Sequence, residues 1–527
     1  MPVATLGPRP PVWRAEVDER MPSRTSLTVA LALTLLLLGA GCACEGDAAT
    51  PDGGRRTIDG ATSVDAAMSD ASMVTPVPGT GECAWEPGER PPAELPPVHT
   101  NEYGIERARW EIANDGRDPV ETRDRMNAAI LWATENGFDK IVVPPGTYLV
   151  GEPTNDVYAA GIELQGNMTF ELSEGAVIQM APNDRWNYCV INVDGHDDVT
   201  IRGGEIVGDR ADHVFEGGGA HDEGHGVCVW TAVSRVLIED TVLRELTGDG
   251  VLIVGRRESD TEPEAPTTHV TIRNNDIHHN RRQGVSIVGG HNVVVENNHI
   301  HHIEGTAPQF GIDIEGAGRT DRDILIYRNA FHDNAGGDIV TSTGRNVWIE
   351  ENTMTQCQAD ADGRYDPALP CDLEEQVDGP IIIWKETDNV IVNNSIRMQM
   401  RTVNGQYGIL GYTRRDGPTR MNPVGNYIAG NTLYDAGIHM AHNMRYFVSN
   451  NTVYEGLILG YLLGCTRLEH NRINRTAREN YKLRNVAGTA EGNVLNRTEG
   501  FPPEDDVQVH FPMAIDAPYR NSSPVFW

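Results

Sequence analysis

The stretch Val270-Thr-Ile-Arg-Asn-Asn-Asp-Ile277 runs as a short apolar strand, a polar pair, an asparagine and a further apolar residue, and the chain repeats it. It returns as Val293-Val-Val-Glu-Asn-Asn-His-Ile300, Ile324-Leu-Ile-Tyr-Arg-Asn-Ala-Phe331 and Val347-Trp-Ile-Glu-Glu-Asn-Thr-Met354, with looser copies around Asn394, Asn431, Asn451, Asn471 and Asn493. Where nothing is inserted the step is roughly 20 to 23 residues, the period of a solenoid. One such coil is too small to bury its own apolar face, so coils must stack, each strand pairing in parallel with those above and below. Stacking superimposes the asparagines, whose side-chain amides can donate and accept from coil to coil. Asparagine also tolerates the left-handed backbone that a sharp corner demands. The ladder is therefore read as scaffold rather than as a binding surface.

A solenoid also suits the composition. A length of 527 residues would ordinarily be divided into several domains, but a single stack grows without widening its core. The 55 glycines and the 6% aromatic content fit many short strands joined by tight corners. A net charge of −33 argues against nucleic acid or an anionic membrane surface as a general partner. It leaves room for an acidic polysaccharide in a locally basic groove. Of the 43 basic residues only Lys140, Lys385 and Lys482 are lysines, which singles out any lysine on the solenoid wall.

The chain opens with a leader. Arg24 precedes the apolar run Leu27 to Leu38, too short for a resident membrane helix, and Gly39-Ala-Gly41 lead into Cys42. That segment resembles the lipobox of bacterial lipoproteins, with Gly39 where the pattern prefers leucine, and implies a lipid on Cys42. Residues 1–42 are thus expected to be a signal peptide and 43–82 an unstructured Ala/Asp/Ser/Thr/Pro tether. Residues 83–527 would form one domain with an insertion at 357–378. The expectation is an exported monomer, lipid-anchored at the bacterial cell envelope or secreted, touching membrane only through its anchor. Cys357 and Cys371 bracket the insertion and would form a disulfide in an oxidising compartment, while Cys83, Cys189, Cys228 and Cys465 stay unassigned.

Between Pro119 and Asn136 the residues Met126, Ala129, Ile130 and Ala133 recur at helical spacing, and Lys140-Ile-Val-Val-Pro-Pro-Gly-Thr-Tyr-Leu-Val150 follows as a strand with a turn in it. Asn114-Asp-Gly116, this helix and Val143-Pro-Pro-Gly-Thr-Tyr148 resemble the opening of the pectin-lyase-like superfamily. The resemblance, over roughly residues 110 to 500, implies an all-β right-handed parallel β-helix with an N-terminal capping α-helix. A cap is needed because an open parallel stack exposes a sticky edge. This fold carries lyases, glycosidases, epimerases, esterases and phage spikes alike, so it does not name the reaction.

A second strand in each coil opens with glycine: Gly226-Val-Cys-Val-Trp230, Gly250-Val-Leu-Ile-Val254, Gly284-Val-Ser-Ile-Val288 and Gly311-Ile-Asp-Ile-Glu315. Period-two alternation turns the third and fifth residues outward. One wall then collects His225, Asp249, Arg281, Arg282, Gln283, Ser286, Asp313 and Glu315 on neighbouring rungs. Asp313 and Glu315 point the same way, close enough to share a calcium ion or to raise one another's pKa, and Asp338 on the next coil would be a third carboxylate. Trp230, Trp384 and Tyr412 are candidates to stack on sugar rings.

Phe310-Gly-Ile-Asp-Ile-Glu315 resembles the catalytic Tyr-Gly-Phe-Asp-Pro-His strand of mannuronan C5-epimerases, with Asp313 at the aspartate, Phe310 in place of tyrosine and Glu315 in place of histidine. The paired acids resemble the calcium ligands of the alginate lyase and chondroitinase B family, where a lysine base and an arginine complete the site. That resemblance implies β-elimination from a uronate, with calcium and arginine neutralising the carboxylate and Arg282, Lys385 or His225 removing the α-proton. Asp249 belongs to a hydrolytic alternative: Gly224-His-Gly226 and Gly248-Asp-Gly250 resemble polygalacturonases, though in reversed order and without the second aspartate of their pair. The leading expectation is a calcium-assisted lyase acting on an acidic polysaccharide, with a glycoside hydrolase, an epimerase or a non-catalytic carbohydrate-binding solenoid as alternatives. His278-His279 and His301-His302 repeat one coil apart and are read as hydrated corners rather than a metal site.

Overall fold

The computed structural model describes residues 87–151, 160–216, 220–259 and 263–360, then the strands and short connections of the later coils up to residue 509. The leader, the tether, Lys385, Cys42, Cys83 and Cys465 lie outside the described residues, as does the side chain of Tyr412. The described residues fall within one compact unit, Ala71–Trp527.

Every coil contributes one strand to each of three parallel sheets of 14, 13 and 13 strands among the described residues. Sheet 1 holds the long apolar strands, such as Thr267–Arg273 paired with Gly290–Glu296. Sheet 2 holds three-residue strands such as Asp276–His278. Sheet 3 holds the strands that open with glycine, such as Gln283–Val288. This is the right-handed parallel β-helix expected from the repeat. Its register is in phase from coil to coil: Val270, Val293, Ile324 and Val347 stack in sheet 1, and Val251, Val285, Ile312 and Ile339 in sheet 3, all with no exposure. A continuous apolar column runs down the axis because each position repeats its size and chemistry.

The first corner carries the asparagine ladder. Nδ2 of Asn298 donates to Oδ1 of Asn329 at 3.0 Å and to the Ile272 carbonyl at 2.9 Å, while the Asn298 backbone N–H donates to the same Oδ1 at 2.9 Å. Asn275, Asn329, Asn352, Asn394, Asn431, Asn451 and Asn471 make the same bonds. The left-handed residue is not the ladder asparagine but the one before it. Asn274, Asn297, Arg328, Glu351, Asn393, Asn450 and His470 have φ between 53° and 58°, and Gly430 and Gly492 fill the same place elsewhere. The ladder residue needs an amide for hydrogen bonding; the left-handed residue beside it faces solvent and needs only a tolerable backbone.

Helix Pro119–Glu135 caps the first coil, with Pro119 at its start and Met126, Ala129, Ile130 and Ala133 buried. Asn127 ties it to the stack, donating to the Gly161 carbonyl at 3.1 Å and accepting from the Glu163 N–H at 3.0 Å. Upstream of the helix, residues 88–101 lie along the outside of sheet 1. Arg90 pairs with Glu350 at 2.6 Å and covers the Tyr327 ring, and His99 meets Thr169, so this arm touches early and late coils alike. The insertion is closed by a Cys357–Cys371 disulfide, and a second disulfide joins Cys189 to Cys228 on sheet 3.

Candidate functional site

The outer face of sheet 3 gathers most of the polar residues expected there. Gln283–Val288 lies between Asp249–Val254 and Phe310–Ile314, so Asp249 sits opposite Gln283 and Ser286 opposite Asp313. Arg282, at the corner entering the middle strand, is the hub. Its Nη1 donates to both oxygens of Asp249, at 2.9 and 3.2 Å, and its Nη2 donates to Glu315 at 3.3 Å. Ser286 Oγ donates to Asp249 Oδ2 at 2.9 Å, and the Asp249 N–H donates to His225 Nδ1 at 3.1 Å. That last bond leaves the His225 proton on Nε2. Gln283 Nε2 donates to Asp313 Oδ2 at 2.7 Å.

The carboxyls on this wall are driven in opposite directions. Burial works to raise the pKa of Asp249, but the Arg282 charge, His225 and the Ser286 hydrogen bond outweigh it and hold the group below the usual carboxylate range. Asp313 is pushed well above that range by burial and then by the charge of Glu315, which Gln283 and Arg282 only partly offset. Glu223 is also raised, chiefly by burial. Asp249 is wholly buried and Asp313 keeps 4% exposure, whereas the Glu315 side chain keeps 39%. The wall therefore holds a nearly buried carboxyl driven toward its protonated form beside a solvent-reaching one.

Several expected members lie elsewhere. Asp338 stands in register with Gly311, between the pairs Phe310–Gly337 and Ile312–Ile339, and takes the place that glycine holds in earlier coils. Its carboxyl turns into the corner, where Asn334 Nδ2 donates to it at 2.9 Å, so it does not join Asp313 and Glu315. Arg281 points away, donating to the carbonyls of Ala220 and His221 at 2.9 Å and covering the Phe215 ring. Cys228, expected to face outward, is tied up in its disulfide. Trp230 bonds Asn192, and Trp384 packs on an apolar strip of Phe310, Val340, Ile382 and Leu410 that continues the wall past Asp313.

The acid pair does not fit calcium. Gln283 already donates to Asp313, and the Arg282 guanidinium takes the cationic place beside Glu315.

Two groups escaped the sequence. Glu223 precedes the glycine motif and carries no periodic signal. Asp209, His213 and His221 form a buried relay at the wall's edge: His213 meets Asp209 Oδ2 at 2.8 Å and His221 Nδ1 at 3.0 Å, and Tyr188 donates to Asp209 Oδ1 at 2.7 Å. They lie in a connection between strands, where no repeat exposes them to inspection.

His278 and His301 end strands of sheet 2, and His279 and His302 turn the corners after them in left-handed backbone. His278, His301 and His332 stack face to face, at 4.9 Å for the first pair and 4.7 Å for the second, and His279 stacks on His302 at 4.8 Å. Burial lowers the pKa of His278 to about 4 and of His301 to about 3.

Such a stack with a polar wall defines a right-handed parallel β-helix carrying a candidate active site. Residues 155–396 match the family described as "Right handed beta helix region". The chain is 30% identical over 268 residues to Uncharacterized protein YclG of Bacillus subtilis (strain 168), covering 48% of this chain and 45% of that one. It is 29% identical over 269 residues to the SPbeta prophage-derived uncharacterized protein YorA of the same organism, covering 47% and 46%. The chain thus spans less than half the length of these curated relatives. Among solved structures it is similar to the A-module of the Azotobacter vinelandii mannuronan C-5 epimerase AlgE6, at 16% identity and a TM-score of 0.52, covering 75% of this chain and 100% of that one. At that identity the likeness is one of fold.

Proposed function

We propose that this chain is an exported protein that cleaves a polysaccharide at the sheet 3 wall, with Asp313 as proton donor and Glu315 as the carboxylate that activates water. The reading rests on the difference between these two groups, one nearly buried with its pKa pushed up, the other exposed and paired with Arg282. Residues at i and i+2 of extended chain are roughly 6.6 to 6.8 Å apart at the backbone, a spacing from which two carboxyls can flank a glycosidic bond at the ~6.5 to 9.5 Å that inverting hydrolysis uses. In that reaction Asp313 gives its proton to the glycosidic oxygen as the C–O bond breaks. Water adds to the anomeric carbon and loses its proton to Glu315. Trp384 and its apolar strip offer neighbouring sugars a stacking surface. The fold-level likeness to a mannuronan epimerase supports a polysaccharide as the substrate class.

A second reading, elimination from a uronate, draws on one feature. The Arg282–Glu315 contact at 3.3 Å is longer than the Arg282–Asp249 contact at 2.9 Å and is open to solvent. A substrate carboxylate that displaced Glu315 would be neutralised by Arg282, which acidifies the α-proton that elimination removes. Incubating the purified protein with alginate, pectate, chondroitin and neutral glycans separates the readings. New reducing ends without ultraviolet-absorbing unsaturated products support hydrolysis, and unsaturated products support elimination. Absence of turnover on every glycan, or full turnover by Asp313→Asn, overturns the proposal.

A further inference from the structure

The second sheet carries a cluster that the sugar chemistry does not use. His299 and His332 face one another with their Nε2 atoms 2.8 Å apart. Each has its other nitrogen against a carboxylate: His332 Nδ1 donates to Asp333 Oδ2 at 2.7 Å, and His299 Nδ1 lies 3.3 Å from Asp276 Oδ1. Asp333 holds the His332 proton on Nδ1, so a bare Nε2 lone pair faces the His299 Nε2. Only a proton or a cation between the two nitrogens makes that contact favourable. His301 completes the group. Its Nε2 lies 3.0 Å from Asp276 Oδ1 and its Nδ1 2.6 Å from His302 Nδ1, and one nitrogen from each of His299, His301 and His332 falls within 4.8 Å of the others. The second oxygen of Asp333 is buried with no partner, and with His302 and His332 it forms an adjoining donor set that shares His332.

We propose that this column of histidines binds a borderline-soft divalent transition ion such as zinc or nickel, held by His299, His301 and His332. Imidazole nitrogens suit these ions, whereas calcium and magnesium require oxygens. Tetrahedral zinc with nitrogens at ~2.1 Å needs ligand atoms about 3.4 Å apart, so small ring rotations that open the 2.8 Å contact bring the rings into range. Asp276 and Asp333 act as the outer carboxylates that fix ring orientation at histidine metal sites. The coil repeat explains the arrangement, since His278, His301 and His332 occupy one position on successive rungs. The site lies on a different sheet from Asp313 and is separable from it.

The test uses the full chain, stripped with a chelator, dialysed and titrated calorimetrically with zinc, nickel and calcium chlorides. Zinc and nickel should bind with micromolar or tighter Kd and raise Tm, and calcium should not bind at this site. His299→Gln and His301→Gln should each weaken zinc at least tenfold. Asp276→Asn, which keeps every ligand but replaces the charged orienting acceptor by a neutral amide, should weaken it by ~10–100-fold. Asp313→Asn should bind as the parent does. Circular dichroism identifies any variant that fails to fold, and the Asp276→Asn result then carries the test. No zinc uptake by the parent chain at about 100 µM, or an affinity unchanged in the folded variants, overturns the proposal.

Discussion

Arg282 holds the buried carboxylate of Asp249 through a single nitrogen that reaches both oxygens, at 2.9 and 3.2 Å. Removing one partner of such a pair strands the other charge away from water. Arg282→Ala is therefore expected to destabilise the protein by about 3–5 kcal/mol, measured by denaturant unfolding at neutral pH. The double variant Arg282→Met/Asp249→Leu should recover much of that loss while remaining inactive on any glycan the parent cleaves. The pH dependence follows from the depressed pKa of Asp249. Its contribution is present above the unfolded carboxyl value, near 3.9, and is lost as pH falls through the lower folded value. A penalty for Arg282→Ala that persisted undiminished in strong acid would show that Asp249 is not its source.

Asp338 titrates in the opposite sense. Burial raises it to about 7, with the Asn334 hydrogen bond opposing and Asp333 adding to the shift. Between about pH 4 and that value the folded chain keeps a proton that the unfolded chain has lost, so this group lowers stability as pH rises through the window. Asp338→Asn keeps an acceptor for Asn334 and carries no charge. It should raise Tm at pH 8, by the equivalent of roughly 2–4 kcal/mol, and leave it nearly unchanged at pH 4. Equal effects at both values would mean that Asp338 is not held protonated.

The ladder makes a positional prediction. Asn352 Oδ1 accepts both the backbone N–H and the side chain of Asn329, at 2.9 and 3.0 Å, in the buried middle of the stack. Asn352→Ala leaves the Asn329 backbone N–H without a partner, takes one of the two bonds of the Asn329 side chain, and should cost about 2–4 kcal/mol. Asn493→Ala, at the part-buried end, should cost under about 1 kcal/mol and fray only the last coils by hydrogen exchange. Equal costs would mean that the stack unfolds as one cooperative unit without local opening.

How far the sequence could be read follows from which positions repeat. The stack, the capping helix and the inward alternation were legible because each is written many times or at strict helical spacing, as at Met126, Ala129 and Ile130. His225, Asp249, Gln283, Ser286 and Asp313 were placed on one wall for the same reason. Asp338 misled because Gly336-Gly337 shifts the phase by one residue, which turns its side chain into the corner. Arg281 and Arg282 are neighbours in the sequence, but a corner sends adjacent side chains apart, and alternation does not apply there. The histidine column looked like turn residues because side-chain stacking between coils depends on ring rotation, which spacing does not encode.

The disulfide between Cys189 and Cys228 spans 39 residues, against 14 for Cys357 and Cys371. Both stabilise mainly by restricting the unfolded chain, and in the loop-entropy description the longer loop is worth about 4 kcal/mol and the shorter about 3 kcal/mol. The folded surroundings differ more than those figures do. Cys189 and Cys228 are fully buried within paired strands beside His225, whereas the other bridge closes an insertion outside the stack. Cys189→Ala/Cys228→Ala should thus lower Tm and also disturb the wall, reducing both stability and any glycan turnover. Cys357→Ala/Cys371→Ala should lower Tm less and leave turnover near the parent value. Thiol counting under denaturing conditions, before and after reduction, tests the pairing itself: free Cys189 and Cys228 in the unreduced protein would remove the basis for the larger effect.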